Sequence, residues 1–148
     1  MKTLLQKSSY EKLIGQTVYI EENMPSIQET LVESKILTSE TDARLYFEKY
    51  IKKVEALFQN ITIVDYHERI NRIPFVVLES SFTLRDSNDR VYYCRLIHDN
   101  TWGGNRHLHE IYFLSEIGMT LLLKAEESTV TLNMGIGYLE HKISSIRI

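Results

Sequence analysis

Residues 38–60, TSETDARLYFEKYIKKVEALFQN, decide how the first half of the chain folds. Thr38 and Ser39 stand in front of Glu40 and Asp42, the pattern of a helix start, where hydroxyl oxygens cap free N–H groups and acids favour the positive end of the dipole. Phe47, Ile51, Val54 and Phe58 then recur at three- and four-residue spacing, flanked by Tyr46, Tyr50 and Leu57. Glu48, Lys49, Lys52, Lys53 and Glu55 supply the solvated face. The spacing predicts a helix from about Glu40 to Asn60, about 30 Å long at 1.5 Å per residue.

A second stripe precedes it. Between Tyr10 and Ile36 the apolar residues Leu13, Ile20, Met24, Ile27 and Leu31 lie three, four or seven residues apart, with Thr17 and Ser34 where the stripe continues. Gly15 weakens this helix and Pro25 removes a backbone donor, so a kink or break is expected near Met24. Two striped helices joined by a few residues form an antiparallel helical hairpin of coiled-coil type, here residues 1–70.

After Asn60 the period shortens to two or to brief continuous runs: ITIVD, PFVVLES, SFTLRD, RVYYCRLI, HEIYFL, STVTLN and LEHKISSIRI, all strand signals. Turns are expected at Asp86-Ser87-Asn88-Asp89 and at Asn133-Met134-Gly135-Ile136-Gly137. Ser115 to Leu123 reads as one short helix capped by Ser115. The polar stretch YHERINRIP, residues 66–74, separates the hairpin from a second domain over 74–148. The fold class is α+β.

The 148 residues hold one ordinary domain or a small one with a helical appendage; 43% are apolar and 25% charged, the balance of a folded chain. No apolar run approaches the roughly 20 residues that span a bilayer and no secretory leader is visible, so a cytoplasmic protein without membrane partners is expected. A net charge of −3 and a pI near 6.0 argue against strong direct DNA binding. Cys94, the single cysteine, reads as a small buried hydrophobe.

Several strings resemble the Gre family of bacterial transcript-cleavage factors. Ile111-Tyr112-Phe113-Leu114-Ser115-Glu116-Ile117-Gly118 followed by Leu121-Leu122-Leu123 resembles the family's strand, Ser-Pro-Leu/Ile-Gly turn and helix, with Glu116 in place of the proline. Ser128 to Leu132 and Gly135 to Ile146 resemble its final hairpin, Tyr10-Glu11-Lys12-Leu13 its opening helix, and Met24-Pro25-Ser26-Ile27 its mid-helix proline motif; Val64-Asp65 closes the second helix region in the family's manner. The resemblance implies an antiparallel FKBP-like domain that binds the rim of the RNA polymerase secondary channel through Ser115, Glu116, Ile117 and Gly118, and a hairpin pointing down that channel. In cleavage factors the hairpin tip carries two acids that help hold magnesium. Counted from Pro25, those positions fall on Ser39 and Asp42, with Glu40 next to the first, and the second arm is about two turns shorter than the family's. The expectation is a regulator that binds polymerase without cleaving transcripts; the alternatives are an active cleavage factor with a rearranged acidic tip and a protein-interaction module unrelated to polymerase.

The residues keep plainer readings beside this one. Glu40 and Asp42 by default serve a helix start, with a catalytic tip as the alternative. Ser115, Glu116 and Ile117 are either an ordinary strand-to-helix cap or a polymerase-facing turn. His98, Asp99, His107 and His109, around Thr101 to Arg106, fit no strong zinc spacing and read as a polar surface loop. Of the nine tyrosines, those on strands are expected to divide between core and surface. No nucleophile triad, phosphate loop or cysteine metal set is visible, which argues against a free-standing enzyme, a small-molecule substrate or a bound cofactor.

Overall fold

The computed structural model describes residues 2–99 and 108–148, and the chain divides into two units, Met1–Asn71 and Arg72–Ile148. In the first, β1 (Thr3–Leu5) leads into α1 (Lys7–Glu22), α2 (Met24–Glu33), α3 (Glu40–Phe58) and β2 (Ile61–Ile63). The break expected near Met24 falls at Asn23, whose side chain donates to the Tyr19 carbonyl (2.8 Å), and Pro25 sits in the first turn of α2, where its missing N–H costs nothing. Gly15 lies uninterrupted inside α1.

The apolar stripes meet each other. Leu13, Ile20, Ile27 and Leu31 from α1 and α2 are buried, as are Phe47, Tyr50, Ile51 and Val54 from α3. Three cross-links fix the relative direction: the Tyr10 ring packs edge-on against Phe58, Tyr50 donates its hydroxyl proton to Gln16 Oε1 (2.7 Å), and Gln28 Nε2 donates to the Glu40 carbonyl (3.0 Å). Partners on α3 come earlier in the chain as those on α1 and α2 come later, so α3 runs opposite to the other two. A feature with no signature in the helical stripes closes the base: β1 and β2 pair in parallel, Thr3 opposite Ile61 and Leu5 opposite Ile63. The segment ITI therefore belongs to the helical unit.

The second unit is a five-stranded sheet in the order β5-β4-β3-β7-β6, made of β3 (Ser81–Asp86), β4 (Val91–Ile97), β5 (His109–Tyr112), β6 (Thr129–Asn133) and β7 (Tyr138–Arg147), with α4 (Glu116–Leu121) between β5 and β6. Alternation places Phe82 and Leu84, Cys94 and Leu96, Val130 and Leu132, and His141 and Ile143 on one buried face. Burial pushes the Cys94 thiol up to about 12, so it behaves as a core atom rather than a nucleophile.

Two strand expectations need correction. The sheet is mixed and not wholly antiparallel: β4 and β5 pair in parallel, Cys94 opposite His109 and Ile97 opposite Tyr112, a pairing that a tight hairpin turn cannot join. PFVVLES is not a strand but a buried irregular segment. Val76, Val77 and Leu78 are fully buried, Ser80 Oγ donates to the Val77 carbonyl (2.6 Å) and accepts from the Val77 N–H (3.0 Å), and Glu79 adopts φ 72°. The apolar run reported burial correctly; a hydroxyl-closed turn replaced the ladder.

Candidate functional site

The residues singled out by sequence form two groups, one in each unit. Ser39, Glu40 and Asp42 gather at the connection between α2 and α3. Helix α2 ends with Lys35 at φ 61°, its N–H donating to the Val32 carbonyl (3.1 Å) and the Ile36 N–H reaching back to the Leu31 carbonyl (3.1 Å), a left-handed cap that reverses the chain. Helix α3 begins at once: Ser39 Oγ accepts from the Asp42 N–H (3.1 Å), and Thr38 Oγ1 donates to Asp42 Oδ2 (3.1 Å). Glu40 and Asp42 are exposed in the first turn. The hydroxyl at position 39 is thus engaged in capping, and one Asp42 oxygen is engaged by Thr38.

Ser115, Glu116, Ile117 and Gly118 gather where β5 turns into α4. Ser115 Oγ donates to the Tyr112 carbonyl (2.7 Å) and accepts from the Gly118 N–H (3.0 Å), fastening the strand end to the helix start. A Cβ on Gly118 would lie 2.2 Å from the Tyr112 carbonyl oxygen and 2.8 Å from Phe113 Cα, so the close approach admits only glycine. Phe113, Leu114 and Met119 anchor the turn in the core while Glu116 is exposed and Ile117 half-exposed. The result is a rigid turn with a short outward edge.

A charged cluster that local pattern did not reveal lies at the same end of the sheet, where Ile97 pairs with Tyr112. Glu79 takes Arg95 Nη2 at 2.6 Å, the His98 backbone N–H at 3.2 Å and the His98 ring through Nδ1. Burial alone would raise the Glu79 pKa, but the hydrogen bonds from His98 and Arg95, reinforced by their charge, hold it below the usual carboxylate range. Arg95 reaches Glu79 because β4 lies beside β3 with Arg95 opposite Ser81, a register that no local spacing encodes. At the opposite end Asp86 closes the β3–β4 turn, accepting from the Asn88 and Arg90 N–H groups (2.9 Å each).

Among the described residues the histidines singled out by sequence do not assemble. His98 turns to Glu79, His109 packs its ring against Tyr92, and Thr101 to His107 lie outside the described residues. Among the described residues no three His, Cys, Asp or Glu side chains are placed to share a metal, and no helix is long and apolar enough to cross a membrane.

No family model and no curated protein matches the chain. Solved structures to which it is similar include GreA factor homolog 1 (Gfh1) of Thermus thermophilus, at 16% identity over 100% of both chains with a TM-score of 0.44. Gfh1 of Thermus aquaticus is 17% identical over 99% of each chain (TM-score 0.46). A prokaryotic transcription elongation factor GreA/GreB from Nitrosomonas europaea is 16% identical over 99% of this chain and 100% of its own (TM-score 0.47). Each is a full-length likeness at low sequence identity and assigns no activity to this chain.

Proposed function

We propose that this chain is a Gre-type regulator that binds RNA polymerase at the rim of the secondary channel and does not cleave transcripts. The second unit, read as FKBP-like, docks, and the first serves as a hairpin arm. The observation that carries the reading is the turn at Ser115–Gly118. It is the place where the sequence most resembles the family's docking loop, and its Ser-x-x-Gly spacing has a physical cause here, a serine cap over a glycine that tolerates no Cβ. Glu116 and Ile117 are the side chains it offers outward.

The arm favours occupancy over hydrolysis. Two-acid magnesium chemistry needs anionic oxygens free to bind a hard cation. Ser39 stands at the first acidic position and spends its hydroxyl on the Asp42 N–H, and Thr38 donates to the Asp42 carboxylate. Helix α3 has 19 residues, about 28 Å of arm. A second reading, an active cleavage factor with a rearranged tip, draws on one observation: Glu40 and Asp42 are both exposed within one turn.

Two experiments test these readings. Purified chain should retain core RNA polymerase in a pull-down, and Ile117→Asp or Glu116→Lys should weaken retention while leaving the fold intact; full retention by both folded variants would move the docking site elsewhere. On stalled, backtracked complexes with magnesium the protein should release no short 3′ RNA and should compete with an active cleavage factor. Release that Glu40→Ala or Asp42→Ala abolishes would establish the second reading.

A further inference from the structure

The five-stranded sheet ends on one side in β5, which is four residues long and carries Glu110, and on the other in β6, Thr129-Val130-Thr131-Leu132-Asn133, which carries no charge and no proline. Charges, prolines, bulges and shortness are the usual means of protecting a sheet edge against pairing, and β6 has none of these within its span. The hydrogen-bond pattern shows which of its groups face out. Ile143 N–H donates to the Ser128 carbonyl and Met134 N–H to the Gly137 carbonyl (3.0 Å each), which marks Ser128 and Met134 as bonded rungs with β7. In an antiparallel pair bonded and non-bonded rungs alternate, so Val130 and Leu132 also bond to β7, whereas the N–H and C=O groups of Thr129, Thr131 and Asn133 point away from it. No backbone hydrogen bond from these three to any described residue outside the ladder exists, and Thr129 and Thr131 are exposed.

We infer that β6 is a pairing edge for a second copy of this chain, joined antiparallel about a two-fold axis at Thr131. The strand is complementary to itself. With Thr131 opposite Thr131 of the second copy, Thr129 falls opposite Asn133 and Asn133 opposite Thr129, so all outward backbone groups meet partners and the side chains that face each other are uncharged. Threonine pairs across strands are favourable, whereas like charges directly opposite, which any charged residue at the axis would create, are not. On the inner face Val130 falls opposite Leu132 of the second copy; both are already buried in their own unit, so the pairing rests on the backbone and on the uncharged outer face. Five residues of pairing form a small interface, so the dimer is concentration-dependent.

Sedimentation equilibrium of the full chain over a wide concentration range is expected to show mass rising from 17.4 kDa toward twice that value. Thr131→Lys and Thr131→Glu, each placing like charges at the axis of a homodimer, should each weaken association about tenfold or more. An equimolar mixture of the two should recover it, because opposite charges then meet at the seam. A wild-type chain that stays monomeric throughout, or a dimer that neither variant disturbs, would overturn the inference. So would a monomer whose β6 amides become protected from exchange only on adding an extended peptide, which would give the edge to a different occupant.

Discussion

Gly118→Ala adds one methyl group at the point where β5 passes under the start of α4. The added carbon would sit 2.2 Å from the Tyr112 carbonyl oxygen, 2.8 Å from Phe113 Cα and 2.9 Å from the Phe113 carbonyl carbon. All three are backbone atoms, so no side chain can rotate aside; the strand end or the first turn of α4 must move, and with it the bond from Gly118 N–H to Ser115 Oγ. Overpacking of a tight site costs about 1–3 kcal/mol, and contacts this short with rigid atoms fall at the upper end, about 3 kcal/mol. For a unit of this size each kcal/mol lowers Tm by about 4–8 °C, which gives a drop of about 12–24 °C. Calorimetry of the whole chain, with amide exchange at Tyr112 to Met119 to locate the loss, measures this directly. Gly15→Ala is the internal control: its Cβ meets nothing within 4 Å in an exposed position of α1, and it should stabilise by about 0.5–1 kcal/mol. A Gly118→Ala protein melting within about 2 °C of wild type, with exchange at the turn unchanged, would refute the steric argument and the rigid-turn description built on it.

Ser115→Ala removes the cap of α4 and should cost about 1 kcal/mol, read as faster exchange of the Gly118 amide. Tyr50→Phe takes away the donor to buried Gln16 Oε1 and should destabilise the helical unit by about 1–3 kcal/mol in urea unfolding; no loss would mean that the bond is replaced by water. Glu79, whose pKa is lowered in the folded state, contributes stability present above the ordinary carboxylate range and lost as pH falls through its folded value; acid titration of the second unit's stability should therefore lose a component in Glu79→Gln.

Interactions between residues close along the chain are legible in the sequence alone. The caps at Ser39 and Ser115 join an oxygen to an N–H three residues on, and the helical stripes repeat every three or four residues, so short-range spacing contains the whole pattern. The break at Asn23 followed in the same way from Pro25, whose ring acts on its own turn. What remained hidden depended on partners far apart in sequence. β1 needs Ile61–Ile63 to become a strand, and three residues have no readable period. The parallel pairing of β4 with β5, against the antiparallel expectation, sets Cys94 opposite His109, a neighbour that no local period reports. PFVVLES is apolar enough for a strand, but Ser80 and the left-handed Glu79 turn it aside, and Glu79 meets Arg95 and His98 only through strand register. Local propensity and capping are encoded residue by residue, whereas register, edge exposure and charge pairing exist only after distant segments have chosen their neighbours.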